Sequence, residues 1–136
     1  MSTWLIPCNS RVFRIHDYLQ SNSIVDWKQS HYKFDIGDIV YIYCSHPEMS
    51  VRYMFVVEQT NIDYKSAIKH LEYWSDECFA AKAIKQNNFI RIRLINYANT
   101  QDLHLSMLLK HGLKKAPQGP CRIEGDILDY IESKFK

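Results

Sequence analysis

The sequence lacks the patterns that mark most membrane, secreted and disordered chains. Its longest apolar runs are strand-sized, shorter than the roughly 20 residues of a bilayer-spanning helix, and no basic stretch followed by an apolar signal segment comes after Met1. Four glycines and four prolines exclude a collagen-like or low-complexity chain. With 46% hydrophobic residues and a net charge of +2, we expect a single globular domain over residues 1–136, cytoplasmic and not bound to membranes.

Metal-binding and catalytic motifs are also missing. The four cysteines (Cys8, Cys44, Cys78 and Cys121) lie more than 30 residues apart, without zinc-finger spacing to any histidine, and we expect buried reduced thiols. Cys44 and His46 would share a strand face, which is too little to indicate a metal site. No G-x-S-x-G, P-loop, H-E-x-x-H or glycine-rich fingerprint occurs. The sequence therefore predicts no metal, no cofactor and no enzymatic activity.

Strand patterns are clearer than helix patterns. Trp4 to Pro7 predicts a short opening strand, and three longer runs rich in β-branched and aromatic residues predict Ile39–Ser45, Arg52–Ile62 and Phe89–Tyr97 as strands of one barrel. In the last run, alternation places the apolar side chains of one face towards the core: Ile90, Ile92 and Leu94.

Helical patterns occupy the segments between and after these strands. A helix is predicted from Asn9 or Ser10 to near Asn22, and a short one within Tyr64–Trp74. A leucine stripe ended by Gly112 predicts a third helix, and a final amphipathic segment predicts a fourth; their apolar positions are Leu105, Leu108 and Leu109, then Ile127, Leu128, Ile131 and Phe135. The order β-α-β-β-(α)-β-α-α favours an α+β fold with a mixed, curled sheet.

Positive charge is concentrated in one part of the chain. From Lys82 to Arg122 there are eight basic residues and one acid, Asp102, whereas the remaining residues carry a net charge of −5. Such a segment, gathered on one surface, would attract phosphate in a salt-dependent manner. The alternative is an ordinary solvated surface whose acids fold back onto it. The candidate phosphate contacts are Arg91, Arg93, Lys114, Lys115 and Arg122.

Aromatic residues are the second unusual feature, with three Trp and nine Tyr. Trp27 and Trp74 both have polar neighbours in sequence, so either indole could present a face to a planar ligand. Stacking of a base on an aromatic ring contributes roughly 1–3 kcal/mol. The alternative is that each indole covers the hydrophobic core and exposes only its edge.

An ordered set of motifs spans essentially the whole chain. It consists of Trp4–Pro7, Val25–Gln29, Ile36–Tyr43, Tyr73–Trp74 and Pro117–Ile123. The set resembles the EVE domain of the PUA-like superfamily, to which YTH and ASCH domains also belong. The resemblance implies an α+β fold: a partly open β-barrel of about five or six strands, flanked by helices, with a concave pocket for a nucleobase.

The resemblance also implies roles for particular residues. Trp27 and Trp74 would stack on the two faces of a flipped base, while Asn9, Ser10 and the backbone N–H of Lys28 would bond its edge. Relatives are linked to methylated bases in DNA or RNA and are often fused to nucleases. No nuclease half is recognisable here, so a separate nuclease or other effector would be a partner.

Three functions remain open from the sequence. The leading interpretation is a non-catalytic nucleic-acid-binding module that holds a flipped, modified base in an aromatic pocket. The alternatives are a pocket for a small free heteroaromatic ligand such as a nucleoside, and a protein-interaction domain whose aromatic residues are core. Some ASCH-type relatives are hydrolytic, but no nucleophile or general base stands out in this chain. The basic segment favours the first interpretation, because a free nucleoside does not require it.

Overall fold

The computed structural model describes residues 1–68, 73 and 88–135. The strands are β1 (Thr3–Cys8), β2 (Ile24–Lys28), β3 (Ile39–Cys44), β4 (Ser50–Ile62), β5 (Phe89–Tyr97) and β6 (Cys121–Arg122). Among the described residues, the α-helices are α1 (Ile15–Leu19), α2 (Leu105–Lys110) and α3 (Asp126–Lys134), and a 3-10 turn covers Gln101–Leu103. None of the helices among the described residues has the length and apolarity to cross a membrane.

The six strands form one mixed sheet in the order β2-β5-β4-β3-β1-β6. β1 runs parallel to β3, and all other neighbouring pairs are antiparallel. Within the described residues no ladder joins the two edge strands, so the sheet is not closed into a barrel. The predicted α+β class with a mixed sheet is confirmed.

Both faces of the sheet carry apolar side chains, because strand residues alternate between them. One face contributes Ile42, Phe55 and Ile92 to a cluster that includes Phe13 and Ile15 from the α1 region. The other contributes residues such as Leu5 and Tyr41 to a second cluster, in which α2 supplies Leu108, α3 supplies Ile127 and Ile131, and Phe135 follows α3. The sheet therefore separates two hydrophobic cores, one on each of its faces.

The three long strands predicted from the sequence are confirmed, with Ile90 and Ile92 fully buried as expected. Two strands were not predicted. β2 contains Asp26, whose carboxylate is buried and interrupts the apolar pattern that indicates a strand. β6 has only two residues, too few to give a sequence pattern.

The two C-terminal helices are also confirmed, and the C-terminal end of α2 is followed by Gly112 at φ +109°. The predicted helix from Asn9 or Ser10 to Asn22 is wrong in its length, since α1 covers only Ile15–Leu19. The Asn9 side chain instead accepts the Arg11 N–H at 3.0 Å, which stabilises a turn. In the predicted helix Tyr64–Trp74, residues 64–68 form a turn and a bend. The rest of that helix, apart from Tyr73, lies outside the described residues.

Candidate functional site

A cavity of about 330 Å³ lies at the opening of the curled sheet. Its lining comes from β1, β2 and two loops: Ile6, Pro7, Trp27, Lys28, Ser30, His31, Tyr32, Gln118, Gly119 and Pro120. Three strands separate β1 from β2 in the sheet, so the curl of the sheet brings them to the same cavity. We call this space the seam cavity.

Trp27 is half-buried in the wall of the seam cavity. It lies on β2 opposite Ile90, on the same face as the buried Val25. The Phe13 ring meets the indole edge-on, with the ring centroids 5.8 Å apart. These contacts hold the indole in place while part of it stays accessible. Its stacking on a base remains a prediction.

The aromatic residues next to Trp27 in the seam cavity were not singled out from the sequence. His31 and Tyr32 stack with their centroids 4.2 Å apart, and Tyr32 meets the buried Trp4 edge-on at 6.1 Å. The Tyr32 hydroxyl also lies close to Gly119, where an added Cβ would come to 3.4 Å from it. The sequence feature that could have identified His31 and Tyr32 as site residues is the polar character of their neighbours. An ordinary surface loop has the same polar character.

A larger groove of about 680 Å³ adjoins the seam cavity. The two share Tyr32, Gln118, Gly119 and Pro120, and the groove continues along residues 112–124 with three cations in its lining: Lys114, Lys115 and Arg122. We call it the basic groove. Over the described part of the chain these cations form no ion pair, and Glu124 is the acid in the lining. The Arg122 guanidinium lies 5.0 Å from the centre of the Trp4 ring, a cation–π contact.

The other two candidate cations, Arg91 and Arg93, line neither the seam cavity nor the basic groove. Arg91 forms a bidentate pair with the buried Asp26, at 2.8 Å and 2.9 Å, and this carboxylate raises the pKa of Arg91. Arg93 pairs with Glu58 on β4. β5 thus directs its two arginines to carboxylates on its neighbouring strands, and their role as phosphate contacts stays a prediction.

Of the remaining predicted base contacts, one lies in the lining of the seam cavity. Lys28 lines it, but neither Asn9 nor Ser10 does. Trp74 lies outside the described residues, as do Lys82 and Lys85 of the basic segment. Trp27 and Lys28 therefore line the seam cavity, and three of the predicted phosphate contacts line the adjoining basic groove. Tyr32 is in the lining of both.

Comparison with known proteins identifies the fold. No protein-family model matches the sequence, and no curated protein matches it. The ASCH protein from Zymomonas mobilis has 13% identity and a TM-score of 0.67, covering 99% of this chain and 96% of that one. Rpa0253 from Rhodopseudomonas palustris has 10% identity and a TM-score of 0.67, covering 99% and 93%. The chain shares the fold of these two structures, whereas membership of the EVE family is not established.

Proposed function

We propose that this protein is a non-catalytic nucleic-acid-binding module that holds one flipped base in the seam cavity while the basic groove holds the flanking backbone. The observation that carries the proposal is the continuity of the two spaces, which share Tyr32 and the turn Gln118–Pro120. A base pocket without nearby cations could not retain a strand, since phosphate contacts position a nucleic acid and supply most of its affinity.

The seam cavity is suited to a single base. Its volume of about 330 Å³ lies at the lower end of the range for ligand pockets. Trp27 and Tyr32 supply aromatic surface, and stacking worth roughly 1–3 kcal/mol per base offsets the cost of flipping. Ile6, Pro7 and Pro120 supply apolar surface. Because a methyl group forms no hydrogen bonds, such a wall is what would favour a methylated base over an unmodified one.

The basic groove supplies the phosphate contacts. Lys114, Lys115 and Arg122 form no ion pair with the described residues, so their charge is available to a polyanion. Binding without catalysis implies that any cleavage of the bound strand belongs to a separate effector, such as a nuclease.

A second candidate function is the binding of a small free heteroaromatic ligand such as a nucleoside. The size of the seam cavity fits this ligand as well as it fits a base within a strand. The two candidates differ in the role of the basic groove, because only a polymer places phosphates there.

The experiment is fluorescence anisotropy with labelled single-stranded DNA and RNA, carrying unmodified or methylated bases, at two salt concentrations. We expect Trp27→Ala to abolish the preference among bases and to keep most of the salt dependence. Tyr97→Ala is the matched control, because this tyrosine is 73% exposed and lies outside both spaces. Absence of binding to every oligonucleotide at low salt would overturn the proposal, and binding of free nucleosides in that case would establish the second candidate.

A further inference from the structure

A third cavity, of about 610 Å³, lies beside α1 and has no lining residue in common with the seam cavity or the basic groove. Its lining combines polar side chains with apolar and aromatic ones: His16, Gln20, Glu48, Arg52 and Tyr53 with Leu19, Leu94 and Tyr97. We call it the His16 cavity. Neither the proposed base pocket nor the phosphate contacts use these polar residues.

Three metal-ligating side chains converge at this cavity. A ring nitrogen of His16, a carboxylate oxygen of Glu48 and the sulfur of Cys44 all lie within 4.8 Å of one another. They come from α1, the β3–β4 connection and the last residue of β3. Cys44 and His46 are close in sequence, but the fold brings Cys44 to two other residues. His16 is distant in sequence, and Glu48 lies in the connection after β3, so residue spacing in the sequence does not reveal this cluster.

The imidazole and the carboxylate are held in orientation by further partners. His16 Nδ1 is hydrogen-bonded to the Tyr53 hydroxyl, and its Nε2 is hydrogen-bonded to Glu48 Oε1. The other oxygen of Glu48 is bound by Arg52, whose Nε donates to the Ala98 carbonyl at 2.9 Å. Metal-binding histidines and carboxylates characteristically have such outer hydrogen bonds, which fix the tautomer and the direction of the ligating atom.

Burial separates the roles of the three ligands. Cys44 is completely buried, whereas His16 and Glu48 are partly exposed and line the cavity. An ion reaching the cavity therefore has access to the nitrogen and oxygen first and to the sulfur behind them. An ion pair between His16 and Glu48 would be complete without a thiol. The nearby Cys44 sulfur is therefore the feature that distinguishes this cluster from a simple ion pair.

We infer that His16, Cys44 and Glu48 form a site for Zn²⁺, with a further coordination position open to water in the His16 cavity. Thiolate, imidazole and carboxylate together are a typical ligand set for this ion, and three protein ligands with one open position are a known zinc arrangement. On binding, the Cys44 sulfur loses its proton to solvent and bonds to the metal. The proton that His16 Nε2 shares with Glu48 moves through solvent to Nδ1, which then donates to the Tyr53 hydroxyl, so Nε2 is free to bond to the metal and the net release is the one thiol proton. The inference does not depend on nucleic-acid binding.

The experiment is a titration of the chelator-stripped protein with Zn²⁺ against a chromophoric competitor, and with Co²⁺ as a spectroscopic probe. We expect one equivalent per chain and a thiolate-to-cobalt charge-transfer band. Cys44→Ser should remove the band, and Tyr53→Phe should weaken affinity by roughly 10- to 100-fold by releasing the His16 ring. Cys121→Ser is the matched control, because this thiol is half-buried elsewhere, beside the Leu5 carbonyl, and its loss should leave the band unchanged.

Either of two results in the metal titrations of wild type and Cys44→Ser would overturn the inference. One is wild-type protein that takes up no stoichiometric Zn²⁺ or Co²⁺, and the other is a thiolate band that persists in Cys44→Ser. Because Cys44 is in the core, His16→Gln and Glu48→Gln are measured in parallel; retention of full affinity in both variants would also contradict the site. Oligonucleotide binding by the stripped and loaded protein is recorded separately, so failure of the metal site and failure of the proposed function remain distinguishable.

Discussion

The five cations predicted to contact phosphate fall into two groups with different surroundings. Arg91 and Arg93 project from β5 onto Asp26 and Glu58, so each positive charge is matched by a carboxylate. Lys114, Lys115 and Arg122 lie in the segment between α2 and α3 and form no ion pair with any residue that the structure describes. The first group supports the sheet, and the second is available for a ligand.

The difference shows why a count of charges along a sequence overstates the charge on a surface. Lys82 to Arg122 carries eight cations against one acid, but the neutralising acids belong to β2 and β4, elsewhere in the chain. Antiparallel pairing places Arg91 opposite Asp26, whose carboxylate neutralises the positive charge of the arginine. Lys114 and Lys115 belong to none of the described strands, so strand pairing does not place a carboxylate opposite them.

The largest effect is expected from Asp26→Asn. Its carboxylate is 3% exposed, accepts two bonds from Arg91 and one from the Ile68 N–H, and its loss leaves a cation without its partner. Removing one member of a fully buried pair costs about 3–5 kcal/mol, and because the Arg91 side chain is 26% exposed we expect a cost towards the lower end of this range. Urea denaturation should therefore show a large fall in the free energy of unfolding.

Asp35→Asn is the control for this variant, because Asp35 is exposed and its side chain forms no ion pair among the described residues. Its free energy of unfolding should change by less than about 0.5 kcal/mol. If Asp26→Asn were as stable as wild type, the ion pair with Arg91 would contribute nothing to stability. The difference between Arg91 and the cations of the basic groove would then disappear.

The next effect in size is expected from the double variant Lys114→Ala, Lys115→Ala. Two fewer phosphate contacts should lower the dependence of log K on log salt by about 1.4 on single strands, with weaker binding to every sequence. Thermal unfolding should stay close to that of wild type, since neither side chain is buried. An unchanged salt dependence would place the phosphate contacts outside the basic groove.

A smaller effect is expected from Arg93→Ala. Its pair with Glu58 is about half exposed on the arginine side, and such surface pairs contribute roughly 0–1 kcal/mol to stability. Oligonucleotide affinity and its salt dependence should match those of wild type, measured beside the lysine variant. A salt dependence lowered as much as in that variant would return Arg93 to the phosphate surface.

The smallest effect is expected from Gly119→Ala, at the junction of the seam cavity and the basic groove. The added methyl would be in van der Waals contact with the Tyr32 hydroxyl, at 3.4 Å, without backbone strain. We expect an unfolding midpoint near that of wild type and a loss of affinity smaller than that of the lysine pair. Affinity equal to wild type would show that a bound strand does not pass this junction.

Local patterns predicted the elements whose signals are local. The leucines of α2, the C-terminal apolar stripe and the alternation of Ile90 and Ile92 follow directly from residue spacing. β2 could not be found in this way, because burial of Asp26 becomes acceptable only when Arg91, 65 residues later, is beside it. A pattern within five residues contains no information about that partner.

The candidate site likewise contains residues that local sequence patterns indicate and residues that only contacts between distant segments bring together. Polar neighbours were enough to single out Trp27, which lines the seam cavity. Tyr32 and the turn Gln118–Pro120 form its wall only through a contact between distant segments, and Asn9 was misplaced because its side chain stabilises a turn instead of capping a helix. The His16 cavity likewise joins three elements, so no spacing in the sequence indicates it.

β1 lies between β3 and β6, so the sheet around this strand is completed by residues more than one hundred positions apart. Contacts of such large sequence separation form late, because the entropy of closing a long loop must be overcome before the contact is gained. The hairpin of β3 and β4 can form early, whereas the seam cavity requires residues 6–7, 27–32 and 118–120 to be assembled together. Competence to bind a ligand there is therefore among the last properties acquired as the chain folds.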